Sequence, residues 1–221
     1  MHRLRLHLSI AFALLIAPIV PAAAQTSSRP PAQHEAGTAR ATAVLVNEDL
    51  EWDRASPVLG NPRGNVTMVE FFDYRCPFCK LMAPKLQRLL AADPQLRLVM
   101  KEYPILSPQS VTAARVALVA SRHGRYAAFH AAIYRQDGSF GLAQIMAVAT
   151  RVGLNPAVVR KEMNAPWIDA ELRRSLALGR IIGATGTPTF VIDHKVVVGA
   201  VPIATLKRLI VEAGKAGGSG G

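Results

Sequence analysis

Residues 66–72, Val-Thr-Met-Val-Glu-Phe-Phe, are apolar at every second position on both faces except at Glu70. That pattern predicts a central strand covered on two sides. From Pro77 the period changes: Phe78, Leu81, Met82, Leu86, Leu89 and Leu90 recur at helical spacing to about Ala92. Pro77 suits the first helical position, whereas Pro84 falls inside the helix and is expected to kink it. Leu96 to Tyr103 reads as the next strand, completing a β-α-β unit with a right-handed crossover. The pattern is then helical from Ser107 to about Ile182. Ser107 caps a helix opened by Pro108 and ended by Gly124, and further helices fit residues 125–135, 142–152, 156–163 and 167–182. Thr189–Ile192 and residues 195–199 regain strand character around a tight turn at Asp193-His194, and a last helix covers residues 203–213. The order β-α-β, helices, β-β-α predicts an α/β fold in which one sheet carries the helical block as an excursion.

The ends of the chain read differently. Arg3 and Arg5 precede an apolar run from Leu8 to Val20, and Ala22-Ala23-Ala24 follows. This is the layout of a secretory signal peptide over residues 1–24, cleaved before Gln25. The run is about 13 residues against the roughly 20 that span a bilayer, and Pro18 interrupts it. Residues 25–55 form a flexible leader rich in Pro, Ser, Thr and Ala, partly ordered where Thr42 to Trp52 turns more apolar. The ordered domain is expected to begin near Ser56. Residues 56–106 and 183–213 form its two halves, residues 107–182 the helical insertion, and residues 214–221 a disordered Gly/Ser tail.

Composition narrows the function. The formal charge of +11 at pH 7 comes from scattered cations, with no basic run and no interleaved aromatics, which speaks against nucleic-acid binding. The chain has two cysteines, Cys76 and Cys79. A structural disulfide across two intervening residues closes a tiny loop and removes little unfolded-state entropy, so stability does not explain the pair. An exported chain meets an environment in which disulfides persist.

Cys76-Pro77-Phe78-Cys79 at a helix start has the parts of a thiol–disulfide exchanger. Cys76 lies at the helix N-terminus, where unpaired N–H groups and the helix dipole favour a thiolate. Cys79, nearly one turn later, is expected to be more buried and to attack second. A zinc site lacks ligands: there is no second cysteine pair, and His123 and His130 lie off finger spacing and read as surface or helix-packing residues. Two thiolates can hold copper(I), so a copper carrier remains an alternative, as does a chaperone using the same groove. Glu70, six residues before Cys76, is either a buried carboxyl of raised pKa exchanging protons with Cys79 or a strand-edge glutamate reaching water. Pro188, after Thr187, can be cis and would then expose the Thr187 backbone to a substrate strand. Arg75 either assists the Cys76 thiolate or is solvated.

Residues Val69-Glu70-Phe71-Phe72-Asp73-Tyr74-Arg75-Cys76-Pro77-Phe78-Cys79-Lys80 closely resemble the active-site strand and helix start of the DsbA-like thiol–disulfide oxidoreductases. Lys101-Glu102-Tyr103-Pro104-Ile105-Leu106 is similar to that family's next strand and exit, and Gly186-Thr187-Pro188-Thr189-Phe190 to its cis-proline loop. Ser56 to Pro62 resembles the exported subgroup that includes ScsC-type proteins. The resemblance implies a thioredoxin-like fold, a central mixed sheet with an inserted all-helical domain. It also implies Cys76 as nucleophile, Cys79 as resolving thiol, Glu70 as the buried acid, and substrate contact at Pro77, Phe78, Thr187 and Pro188. No cofactor is implied beyond the protein's own disulfide. Implied partners are unfolded or misoxidised exported proteins in the periplasm, a membrane redox protein that resets the pair, and a homo-oligomer if the chain is an isomerase. The family's strongest oxidases carry His between the cysteines; Phe78 stands here, which leaves the direction of electron flow open.

Overall fold

In the computed structural model, residues 48–136 and 141–218 are described. The expected signal, most of the leader and residues 219–221 lie outside them. Five strands form one sheet: β1 (Val58–Gly60), β2 (Val66–Phe72), β3 (Leu96–Glu102), β4 (Thr189–Ile192) and β5 (Lys195–Val198), in the order β1-β3-β2-β4-β5. β2 is central, as its two-sided apolar pattern requires. It pairs parallel with β3, Glu70 opposite Met100, and antiparallel with β4, Glu70 opposite Phe190. Asp193 and His194 both take positive φ, 47° and 62°, the twist a two-residue hairpin needs between β4 and β5. The sheet is therefore mixed and thioredoxin-like.

Helix α1 (Pro77–Ala92) makes the β2–β3 crossover and continues through Pro84. Among the described residues, the elements between β3 and β4 are all helices: α2 (Pro108–Arg122), α3 (Tyr126–Tyr134), α4 (Leu142–Arg151), α5 (Pro156–Glu162) and α6 (Pro166–Ile181). Ser107 caps α2, its side chain accepting from the Ser110 N–H. Helix α7 (Ile203–Gly218) closes the chain and runs past Ala213 into the segment expected to be a tail. β1 is a further departure, a three-residue strand antiparallel to β3 that the sequence pattern did not announce.

Alternation along β2 and β3 divides the core between the two sheet faces. Met68, Phe72, Leu98 and Met100 face α1, α7 and the helical block. Val69, Phe71, Val99 and Tyr103 face Leu178 on α6 and Leu50, which lies in a helical turn at residues 48–51. This second face is where residues 48–56 pack. Lys101, fully buried, donates to the Asp49 carbonyl (2.8 Å), to Ser56 Oγ (2.8 Å) and to Asp53 Oδ2 (3.3 Å). Ser56 Oγ donates on to Glu171 on α6 (2.9 Å), and Arg174 Nη1 donates to Asp53 Oδ1 (2.8 Å). Burial pushes the Lys101 ammonium down, and the Asp53 carboxylate beside it opposes the shift. Burial pushes Glu171 up, and neighbouring Asp53 pushes it further.

On the same face, α6 approaches the sheet closely at Gly179. A Cβ there would stand 2.4 Å from the Tyr103 ring. The Tyr103 hydroxyl donates to the Ala184 carbonyl (3.1 Å), in the connection from α6 to β4. No helix among the described residues is long and apolar enough to cross a membrane.

Replacing Lys101 by Met removes the buried cation and leaves Asp53 and Glu171 facing each other. The variant should lose about 3 kcal/mol of stability in urea denaturation at neutral pH. A loss below about 1 kcal/mol would mean that Arg174 alone neutralises the cluster.

Candidate functional site: a buried thiol pair at a helix N-terminus

β2 delivers the chain to a turn, Asp73-Tyr74-Arg75, that sets where α1 begins. Asp73 holds this turn. Its Oδ1 accepts from the Arg75 N–H (2.7 Å) and the Ser110 hydroxyl (2.7 Å), and its Oδ2 from the N–H groups of Ile105 (2.9 Å) and Leu106 (3.0 Å). Its carbonyl accepts from the Cys76 N–H (3.0 Å) and the Tyr134 hydroxyl (3.2 Å). One residue thus ties the active turn to the exit of β3, the start of α2 and the end of α3. The sequence offered one clue to it, an Asp two residues before a turn N–H. Its other partners lie too far along the chain to be read.

Cys76 is the N-cap residue of α1, in extended conformation, and no side chain caps the helix there. The sulfur therefore sits at the positive end of the helix dipole. Its thiol donates to the Thr187 carbonyl at 3.1 Å, and the Thr187–Pro188 peptide bond is cis. Residues 111 positions apart thus meet at one sulfur. Cys79 lies behind Cys76, and both thiols are free and buried. Burial pushes the Cys79 thiol far up, Glu70 pushes it further, and the Asp73 N–H opposes them.

Glu70 is 2 % exposed, which excludes the strand-edge reading. Desolvation by burial pushes its carboxyl up to about 8, so it is mostly protonated at neutral pH. Phe78 projects outward at 56 % exposure, beside Leu81 one turn on, and Pro77 is also exposed. Thr187 is half-buried and Pro188 buried. The Arg75 side chain is exposed. Cys76, Cys79, Thr187 and Pro188 therefore converge, Glu70 approaches Cys79 from the sheet, and Phe78 stands on the rim.

The sequence pattern did not show the aromatic shell beneath the turn. Phe72, Tyr74, Tyr134 and His130 pack edge to face or tilted, with ring centroids 5.0–6.5 Å apart. Glu102 accepts from the hydroxyls of Tyr126 (2.9 Å) and Tyr74 (3.2 Å), and burial raises its pKa. His130 proves to be a helix-packing residue of this shell, its Nδ1 lying 3.3 Å from the Tyr74 hydroxyl, and burial lowers its pKa to about 3. Among the described residues, no group of three or more His, Cys, Asp or Glu side chains gathers in a metal-binding arrangement. Two adjacent thiols of unlike environment, one at a helix N-terminus and one deep beside a protonated carboxyl, can make and break a disulfide while a proton is held nearby.

Two variants test this geometry. Asp73→Ala leaves buried donors unsatisfied and should cost about 3 kcal/mol. Amide hydrogen exchange should speed up at Ile105 and Leu106, and unchanged protection there would remove Asp73 from its tying role. For Glu70, a folded pKa of about 8 above the ordinary carboxyl value of 4.5 means that the folded state holds a proton the unfolded state releases. Stability of the reduced protein is then complete below about pH 4.5 and falls as pH rises to about 8. Glu70→Gln should abolish this fall, which is on the order of 4 kcal/mol. Parallel pH profiles for the two proteins would show that Glu70 ionises freely.

Residues 67–211 match the model of the DSBA-like thioredoxin domain. A thioredoxin-like oxidoreductase from Silicibacter pomeroyi DSS-3 is 41 % identical and superposes with a TM-score of 0.74, covering 76 % of this chain and 97 % of its own. A periplasmic thioredoxin-like protein from Salmonella enterica serovar Typhimurium is 29 % identical with a TM-score of 0.71, covering 77 % and 97 %. The catalytic domain of Proteus mirabilis ScsC shares the fold at 24 % identity and a TM-score of 0.72, covering 80 % and 98 %. The chain also aligns, at 24 % identity over 158 residues and 71 % of its length, with the Na(+)/H(+) antiporter NhaA 1 of Salinispora arenicola, spanning 24 % of that protein. With the thiol pair, the mixed sheet and the matched model covering most of its length, the chain belongs to the DSBA-like thioredoxin domain family.

Proposed function

We propose that the protein exchanges disulfides with exported proteins through Cys76 and Cys79. The observation that carries this reading is the Cys76 sulfur at the N-cap of α1, 3.1 Å from the carbonyl of Thr187. An extended substrate segment can pair with that backbone and present its own sulfur to Cys76. In the oxidised form a substrate thiolate attacks Cys76 Sγ, forms the mixed disulfide and breaks the Cys76–Cys79 bond. The electron pair stays on Cys79 Sγ, and Glu70 passes its proton to that sulfur, which burial disfavours as a thiolate. A second substrate thiolate then attacks the substrate sulfur of the mixed disulfide, and Cys76 leaves. Substrate disulfide is made and the protein is reduced; the same steps reversed reduce a substrate.

The exposed Phe78 and Leu81 supply an apolar rim for unfolded chains. The signal-like residues 1–24 support a periplasmic location for this work, with a membrane redox partner to reset the pair. Phe78 in place of a His withholds a nearby cation from the Cys76 thiolate and makes the disulfide less oxidising.

The test begins with the reduction potential of the pair in glutathione buffers. It should lie below the about −120 mV of the strongest oxidant in this class, and Phe78→His should raise it by about 30 mV. A wild-type value near −120 mV would overturn the argument from Phe78. Cys76→Ser should abolish exchange, and Cys79→Ser should accumulate mixed disulfides with substrate. Full exchange without Cys76 would overturn the reading itself, and copper(I) binding lost in that variant would then favour a carrier.

A further inference from the structure

Between α1, α3 and the sheet lies a recess of about 840 Å³. Small-molecule sites run from about 300 to 1,000 Å³, whereas close-packed interiors leave few voids larger than a water molecule. Its walls are largely aliphatic, including Leu59, Leu86, Leu98 and Met100, and Ala127 and Gln87 flank it from α3 and α1. Two polar groups line it deep inside: Glu70 at 2 % exposure and His130 at 8 %. Among the described residues nothing hydrogen-bonds the Glu70 carboxyl. The imidazole of His130 meets Tyr74 through Nδ1 and stacks on Tyr126, which leaves Nε2 for the recess.

Water can reach both groups in the open recess; an occupant that displaces that water must replace its hydrogen bonds, because a polar group buried without a partner costs about 1–3 kcal/mol. Both are uncharged at neutral pH, Glu70 holding its proton and His130 lacking a second one. Lys80 and Arg135 line the recess as exposed residues, away from the buried pair. Beside Glu70 and His130 an occupant's polar group meets no formal charge, and a hydrocarbon there would leave both groups unsatisfied. One hydroxyl or amide serves both, accepting from one and donating to the other.

We propose that this recess binds a small uncharged amphiphile, with an apolar body against Leu86, Leu98 and Met100 and one hydroxyl or amide directed at Glu70 and His130. An occupant bonded to Glu70 withholds that carboxyl from Cys79, so binding slows disulfide exchange. This consequence rests on Glu70 as the proton carrier of the proposed exchange; the binding does not.

The probes are 2-indanol and its hydrocarbon parent indane, titrated into the full-length reduced protein and followed by heteronuclear NMR. The alcohol should saturate one site and bind at least tenfold tighter than indane. Ala127→Trp, at an exposed position beside the recess, should weaken it at least tenfold, and Gln87→Trp should do the same from the opposite wall if the first variant folds poorly. Glu70→Gln should retain binding, whereas Glu70→Leu should erase the preference for the alcohol. No saturable site, equal binding of the two probes, or indifference to both Trp variants would overturn the site. Saturating 2-indanol should slow reaction of the Cys76–Cys79 pair with glutathione at least twofold. Confirmed binding with an unchanged rate would overturn the link to Glu70. A protein that binds the alcohol yet exchanges no disulfides would overturn the proposed function and leave the site standing.

Discussion

The site depends on one buried carboxylate. Asp73 stands where β2 ends, and four donors from three separate stretches of chain converge on its two oxygens. Two of those donors are main-chain N–H groups leaving β3, and a third opens the helical insertion. A carboxylate in that position makes the connection between sheet and insertion polar and directional, where apolar packing alone would tolerate sliding. The turn it fixes decides where α1 starts, and hence where Cys76 points. Such hydrogen bonds to a charged acceptor are worth roughly twice neutral ones, which is how a single side chain can hold three elements in register.

The two faces of the sheet divide the labour. One carries the thiols, the protonated Glu70 and the aromatic shell; the other carries a charged cluster that secures the residues leading into the domain. Each face holds a buried ionisable residue in a strand, and the solutions differ. Lys101 is surrounded by oxygen atoms and is compensated, whereas Glu70 is uncompensated and keeps its proton. The compensated group serves attachment. The uncompensated one keeps a proton beside Cys79, which is the property the proposed exchange asks of it.

What the sequence revealed follows the range of the interactions. β2 and α1 were legible because their periodicity is local, as was the Ser107 cap, whose partner is three residues away. Glu70 stood out as the one carboxyl in an apolar strand. β1 was not legible, because Val58-Leu59-Gly60 owes its strand character to pairing with β3 rather than to its own pattern. The tying role of Asp73 was not legible, since the partners that define it lie 32, 33 and 37 positions on. The docking of residues 49–56 was equally hidden, for Ser56 meets Glu171 across 115 positions. Helix α7 passed its expected end because glycine and alanine beyond Ala213 looked like a tail and here continue the helix.

Gly179 has a mechanical meaning that its place on α6 conceals. Its missing side chain lets the Tyr103 ring lie against the helix, and the Tyr103 hydroxyl holds the carbonyl of Ala184. Three residues after Ala184 comes Thr187, whose own carbonyl faces the Cys76 thiol. One close helix contact and one phenol hydroxyl thereby lie on the chain path that leads to the carbonyl facing the sulfur. A residue that touches neither cysteine thus helps to seat the segment that carries Thr187 to the thiol pair.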